Sequence, residues 1–460
     1  MTEPMTYCST RGQAPDLAFA DALLTGLATD GGLYCPRSIP ELPEQIPGDY
    51  ADAANAIMWP FVAGSIEPEM FAAIVAESYR FFRHPEVCPV VALGDNHFLL
   101  DLTQGPTLAF KDVALQLVGR LLDHELERRG DRVTVLGATS GDTGSAAIEA
   151  LQGRQNIDVV ILHPRGRVSD VQRKQMTTVD APNVLNVAVE GTFDDCQDLV
   201  KAAFGDSELR QRHGLAAVNS INWARVMAQI VYYVTAARKV RPDGGPVSFC
   251  VPTGNFGNAL AGWYAKRMGL AVEQLVVASN RNDVLTRFFE TGSLTSRSVE
   301  PSLSPSMDIQ VSSNFERLLW ESSGRDGLAV AALLDGFRSS GNAEVPAAWT
   351  ASIRAEFEGG RLDDDGTLAE MAGLHDHLGL LVDPHTAVGT KVARDLRRSA
   401  DVPMITLATA HPAKFPDALQ QATGVRPPLP AFLSELFDRP EHLIQAENSL
   451  DAIRSILESR

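Results

Sequence analysis

Five short segments combine residue types and spacings suited to chemistry on a small anionic molecule. The first is Gly105-Pro-Thr-Leu-Ala-Phe-Lys111-Asp112, a lysine at the mouth of an expected helix, between apolar residues and just after a constrained Gly-Pro turn. A partly desolvated lysine can present a neutral, nucleophilic amine, which imine chemistry needs. The plain alternative is a surface lysine at a helix start, a mildly unfavourable place because the positive helix end repels cations. The second is Gly137-Ala-Thr-Ser-Gly-Asp-Thr-Gly144, between an expected strand and helix. Its glycines let the backbone approach a ligand, and Thr139, Ser140 and Thr143 offer hydroxyls, a set suited to a carboxylate. The alternative is a strand–helix connection with Ser/Thr capping.

The third segment, Pro252-Thr-Gly-Asn-Phe-Gly-Asn258, lacks the lysine of a P-loop and the spacing of a dinucleotide fingerprint. It fits a cup of backbone N–H groups around one phosphate, and equally a capping turn. The fourth is Asn219-Ser-Ile-Asn-Trp-Ala-Arg225, with Gln229 a turn beyond. Arg225 with Asn219, Ser220 and Asn222 could clamp a second phosphate, or form an ordinary polar helix start. The fifth, Thr406-Leu-Ala-Thr-Ala-His-Pro-Ala-Lys-Phe-Pro416, follows a late strand; its histidine competes as a satisfied residue in a tight turn.

The elements that must hold these segments alternate between strand and helix. Phe98–Leu102 reads as a strand, Val113–Arg129 as a helix with Asp112 as its N-cap and Gly130 as its stop, and Val133–Leu136 as a strand. Ala146–Gln152 reads as a helix and Asp158–Leu162 as a strand. The pattern returns with Val247–Val251, Ala259–Met268 and Leu275–Ala278, and later with a strand at Met404–Ala408 and a terminal helix at Leu450–Glu458. Such alternation implies parallel sheets covered by helices. Residues 295–314 are rich in Ser and Pro and expected to be irregular. Residues 1–90 hold many turn residues and helical stretches at 52–58 and 68–82, a front region unlike the rest. The expected organisation is three consecutive parts: 1–95, then 96–225 with the lysine, then 226–460 with the phosphate cup.

Composition narrows the function. The 460 residues carry a formal charge of -18, which argues against non-specific nucleic-acid binding. The five cysteines are scattered and lack a C-x-x-C pair, so neither a zinc site nor a disulfide framework is expected. No apolar run is long enough to span a membrane and the start has no basic or apolar leader, so a soluble, cytoplasmic protein is expected.

Order and wording decide among these readings. Over essentially its full length the sequence resembles the threonine synthases, fold-type II pyridoxal-phosphate enzymes. The resemblance runs through Tyr7-Cys-Ser-Thr-Arg-Gly12, Asp30-Gly-Gly-Leu-Tyr-Cys-Pro36, the lysine segment and the Thr139–Gly144 loop. It continues through His163-Pro-Arg-Gly166, Asn219–Asn222, Gly254–Asn258, Ser306–Asn314 and Ala410–Phe415. It implies an α/β fold of two open parallel-sheet domains with an N-terminal accessory region. It implies pyridoxal 5'-phosphate held as a Schiff base on Lys111, with its phosphate on Gly254, Asn255, Phe256, Gly257 and Asn258 and its pyridine nitrogen facing Thr409. A neutral hydroxyl there leaves that nitrogen largely unprotonated, a weaker electron sink that restrains transamination. Asp142 stands where many fold-type II enzymes have an asparagine near the cofactor's phenolic oxygen. A carboxylate there would repel a phenolate unless one of them carried a proton, so Asp142 could instead point away or act through its backbone.

The implied reaction is O-phospho-L-homoserine plus water giving L-threonine and phosphate. In it Lys111 is the catalytic base, Thr139, Ser140 and Thr143 hold the carboxylate, and Asn219, Ser220, Asn222 and Arg225 hold the phosphate. The alternatives are a related pyridoxal enzyme that makes 2-oxobutyrate from the same substrate, a non-catalytic homologue, and a nicotinamide dehydrogenase. The retained Lys111 argues against the second, and the missing G-x-G-x-x-G against the third. Monomer and homodimer are both compatible with the sequence.

Overall fold

The apolar runs form strands, and these pair in parallel as the β–α alternation requires. The computed structural model describes residues 4–217 and 220–459. Its chain divides into two compact units, each discontinuous in sequence: Met1–Phe110 with Ser220–Pro427, and Lys111–Asn219 with Pro428–Arg460. These units cut across the three consecutive parts expected from the sequence. The C-terminal tail explains much of the difference. It returns to supply the strand Ile444–Ala446 and the helix Leu450–Glu458 to the second unit. A strand that short carries no readable alternation.

The first unit is built on a six-stranded sheet in the order Phe357–Arg361, Val272–Ser279, Val247–Pro252, Met404–Ala408, His97–Asp101 and Val90–Gly94. Neighbours pair in parallel except the last two, which form an antiparallel edge. Every residue of Val247–Pro252 is buried, as a central strand covered on both faces requires. The front region belongs to this unit. Thr6–Ser9 pairs with Leu17–Ala18 and with Tyr34–Pro36, and the expected helices are Tyr50–Val62 and Pro68–Tyr79. The Ser/Pro-rich stretch is mostly irregular, but it is pinned. Asp308 accepts from Ser302 Oγ (2.6 Å), Asn280 Nδ2 (2.8 Å) and Asn282 Nδ2 (2.9 Å).

The second unit carries a five-stranded parallel sheet in the order Ile444–Ala446, Val184–Val189, Ile157–Pro164, Val133–Ala138 and Leu215–Ala216. Its long helix takes in Lys111 as the first residue and runs to Arg129. Asp112 is therefore not the cap. It stands in the first turn, fully buried, where a carboxylate complements the positive helix end. Gly130 ends the helix at φ +71°, as expected. The helix Asp142–Leu151 begins inside the loop read from sequence, four residues ahead of Ala146. All five cysteines are free and buried.

Gly119 sets the approach of these two helices. A Cβ there would lie 2.8 Å from the carbonyl oxygen of Ala150 and 3.1 Å from Leu151 Cδ2. Gly119→Val must push the helices apart, and the expected loss is about 1–3 kcal/mol in denaturant unfolding. Wild-type stability in that variant would mean that the helices have room to give.

Candidate functional site

In both units the chemical residues sit on loops that leave the carboxyl ends of parallel strands, where open α/β sheets bind ligands. In the second unit the loop after Val133–Ala138 delivers Asp142 as the first residue of its helix. Asp142 is buried, with one carboxylate oxygen 3.5 Å from Lys111 Nζ. The other oxygen accepts from Gln172 Nε2 at 2.9 Å. Gln172 is fixed in turn by Ser169, whose hydroxyl donates to its Oε1 (2.9 Å) and caps its helix. Gly141 is needed beside this contact. Its φ is +140°, and a Cβ would lie 2.4 Å from Gln172 Cδ.

Hydrogen bonds separate the hydroxyls of this loop. Thr139 is buried, and its Oγ1 accepts from the backbone N–H groups of Gly141 (3.0 Å) and Gly144 (2.8 Å). Ser140 and Thr143 are half-buried, and their hydroxyls have no hydrogen-bond partner among the described residues.

In the first unit the loop after Val247–Pro252 forms a cradle. Phe256 takes the left-handed conformation (φ +61°) and stands at the N-cap of the helix Gly257–Arg267. A left-handed residue before a helix turns successive N–H groups to one side, the arrangement of an anion nest. Its ring is fully buried, edge-on to Phe315 at 5.3 Å and tilted on Phe357 at 5.1 Å. Phe256 thus offers backbone to a ligand and side chain to the core. A Cβ on Gly254 would come within 3.1 Å of Met307 Cα and the Ser306 carbonyl oxygen, and one on Gly257 within 3.2 Å of Asn314 Nδ2. Ser312, Ser313 and Asn314 brace the cradle. Ser312 Oγ donates to Gly254 O (2.7 Å), Ser313 Oγ to Asn255 Oδ1 (3.2 Å), and Asn314 Nδ2 to Asn255 O (3.1 Å).

The fourth segment adjoins the same brace. Ser220 Oγ lies 3.2 Å from Ser313 Oγ, and Ser220 O accepts from Asn314 Nδ2 at 3.0 Å. Asn222 is the cap of the helix Trp223–Val240. Its Oδ1 accepts from Ala224 N–H (3.1 Å) and its Nδ2 donates to Leu23 O (2.8 Å), so both ends of its amide are engaged. Asn219 lies outside the described residues. Arg225 is 4% exposed, its Nε has no hydrogen-bond partner, and its guanidinium has no carboxylate partner among the described residues. Burial pushes its pKa down to about 10. One turn on, Gln229 Oε1 is a buried acceptor without a partner. Asn258 completes the group. Its Oδ1 is held by the hydroxyls of Tyr232 (2.5 Å) and Tyr233 (2.9 Å), which leaves its buried Nδ2 donor unused.

The fifth segment braces the turn that leads to the lysine. Thr409 O accepts from Phe110 N–H (2.9 Å), Leu108 O from His411 N–H (3.0 Å), and Thr107 O from Lys414 Nζ (2.8 Å). Leu108 is buried in the left-handed conformation (φ +65°), strain of about 1–3 kcal/mol that those contacts must hold. Burial pushes the His411 pKa down, favouring a neutral ring. Thr409 is 5% exposed, and its hydroxyl has no hydrogen-bond partner among the described residues.

The residues fit pyridoxal phosphate on these grounds. Gly254 and Gly257 line a cradle that a Cβ would fill, and the buried donors Asn258 Nδ2 and Arg225 Nε are unspent. An anion rich in acceptors satisfies such donors. Sequence reasoning missed Gln172 and also Arg317, whose guanidinium is wholly buried. Gln172 and Arg317 carry no local signal; Asn314 and Lys414 were marked only by lying in recognisable strings.

Comparison with known proteins agrees along the whole chain. Residues 6–79 match the family model "Threonine synthase N terminus", 90–333 "Pyridoxal-phosphate dependent enzyme", and 386–457 "Threonine synthase, C-terminal". The threonine synthase of Pseudomonas aeruginosa is 51% identical over 459 residues, covering 98% of each chain. The crystal structure of pyridoxal-phosphate-bound threonine synthase from Brucella melitensis superimposes with a TM-score of 0.96 at 50% identity, covering 99% of both chains. The yeast threonine synthase structure gives 0.93 at 38% identity and 98% coverage of both. The expected α/β fold-type II architecture and its cofactor class hold, and the chain belongs to the threonine synthase family of pyridoxal-phosphate-dependent enzymes.

Proposed function

We propose that the chain converts O-phospho-L-homoserine and water to L-threonine and phosphate. The observation that carries this reading is Arg225, a buried guanidinium at the start of a helix with no counter-ion among the described residues. Its planar fork matches a phosphoryl group, and a substrate that brings its own dianion supplies the missing charge. Bound pyridoxal 5'-phosphate supplies the electron sink for bond changes beside the substrate's amino group.

The chain's residues then divide the work. Lys111 carries the cofactor through Nζ, and the same amine moves protons at the α and β carbons of the substrate. Asp142 acts on Lys111: its carboxylate, fixed by Gln172, holds Nζ in place. Ser140 and Thr143 offer free hydroxyls to the carboxylate, and Thr139 builds their loop. Gly254, Asn255, Phe256, Gly257 and Asn258 take the cofactor phosphate, and the Thr409 hydroxyl takes the pyridine nitrogen. Ser220 joins Arg225 at the substrate phosphate, as does Asn219 on the reading from sequence, with Asn222 setting the helix from which Arg225 projects. The γ C–O bond breaks with its electron pair going to the departing phosphate, the γ carbon takes up a proton in place of the one lost from the β carbon and becomes the methyl group, and water adds its hydroxyl at the β carbon, its other proton ending on the phosphate. Free cysteines accord with a cytoplasmic setting, and no described helix is long and apolar enough to cross a membrane.

The purified full-length protein should show a visible absorption band from the lysine-bound cofactor and release phosphate and threonine in equal amounts from phosphohomoserine. Phosphate released with 2-oxobutyrate would reassign the product, and the absence of both band and product would overturn the reading. Arg225→Ala should raise KM about a hundredfold, the loss of a buried charge-assisted contact, with the cofactor retained. If cofactor loss is its main effect, Arg225 serves the cofactor instead. Asp142→Asn removes the carboxylate charge that lies 3.5 Å from the buried Lys111 amine. It should cost about 3 kcal/mol in urea unfolding of the cofactor-free protein. Unchanged stability there would show that the pair does not form.

A further inference from the structure

Among the described residues Arg317 is the largest side chain that is wholly buried. It projects from the helix Phe315–Ser322 and spends its guanidinium on neutral oxygens. Its Nε and one terminal nitrogen donate to Tyr34 O (3.2 and 2.8 Å). That nitrogen also donates to Ile221 O (2.6 Å), and the other donates to Asn314 Oδ1 (2.5 Å). No carboxylate pairs with it among the described residues. The acids of its own helix are taken, Glu316 by Arg11 and Glu321 by Arg325. Buried cations are ordinarily paired, because desolvation of an isolated charge is costly. Asn314 relays the contact onward, since its Nδ2 donates to Asn255 O and Ser220 O.

We infer that Arg317 is a positioning residue of the phosphate cradle, a buried cation one residue removed from Asn255 whose counter-charge is the cofactor's phosphate group. This rests on the reading of Gly254–Asn258 as the cofactor-phosphate site. Through Asn314 the guanidinium fixes the Asn255 peptide, and through space its charge favours a dianion in the cradle. The same fork holds Tyr34 and Ile221, so the N-terminal sheet and the segment before Arg225 are set by one group.

The test uses the full-length protein, freed of cofactor and titrated with pyridoxal 5'-phosphate and with pyridoxal, which keeps the ring and aldehyde but lacks the phosphate. Arg317→Met should weaken the phosphorylated form by about tenfold relative to pyridoxal. Arg317→Lys keeps the charge without the fork and should hold that preference within about threefold of wild type. Asn314→Ser cuts the relay while leaving Arg317 on Tyr34 and Ile221, and should lower the preference selectively. It decides the matter if Arg317→Met does not fold. Equal weakening of both ligands, or no change, in Arg317→Met overturns the inference, because a purely structural role would not distinguish them. Gly257→Val separates the two levels. If it abolishes the preference while Arg317→Met does not, only the role of Arg317 falls. If it leaves the preference intact, the cradle reading falls and the role of Arg317 with it.

Discussion

A phenylalanine held left-handed at the end of a buried strand is the constraint on which the first unit turns. For an L-residue that conformation costs about 1–2 kcal/mol, and Phe256 gains no flexibility in exchange. What offsets the cost is packing. Its ring lies among Phe315 and Phe357, and Phe315 is edge-on to Phe288 at 4.9 Å. Phe315 also opens the helix that carries Glu316 and Arg317. Glu316 receives Thr10 Oγ1 at 2.7 Å and Arg11 Nε at 3.1 Å, while Arg317 holds Tyr34. The strain that turns the cradle amides outward is thus borne by an aromatic cluster, and the cluster by the N-terminal strings. This gives those strings a physical duty. They are the far anchor of the helix that locks the cradle.

Four of the buried arginines fall into two classes by their counter-charges. Arg11 has Glu316 and Arg287 has Asp283 at 2.8 Å, and these pairs are complete without any ligand. Arg225 and Arg317 have no carboxylate among the described residues. Lys111 stands between the classes. It is buried at a helix start, with the Asp142 carboxylate 3.5 Å away. On the function proposed above, the two unpaired guanidinium groups answer to phosphate anions that the ligands bring.

The sequence made the loops legible and left their long-range partners hidden. A buried strand, a Gly-rich turn and a helix start are local patterns, so the segments at Lys111, Gly137–Gly144 and Gly254–Asn258 could be read where they stand. Asp142 and Gln172 are thirty residues apart and Arg317 and Tyr34 nearly three hundred, and no periodicity joins such positions. The left-handed conformation of Phe256 and Leu108 was equally unreadable, because bulky residues take it only when tertiary packing holds them there. The second unit's edge strand Ile444–Ala446 escaped because three residues are too few to show alternation.

Polar residues in a ligand loop serve either the loop or the ligand, and composition cannot separate the two. Thr139, Ser140 and Thr143 look interchangeable on the page. Thr139 is committed to two backbone amides, so removing it would unmake the turn that presents its neighbours. Asn222 stands to Arg225 as Thr139 stands to Ser140. Its amide is spent at both ends on closing a helix, and the arginine three residues on keeps an unspent donor. A loop dense in small polar residues is therefore not a dense ring of ligand contacts. Most of its hydrogen-bonding capacity goes into holding a few groups open, because an open donor buried from water is stable only where its neighbours leave the backbone no other conformation.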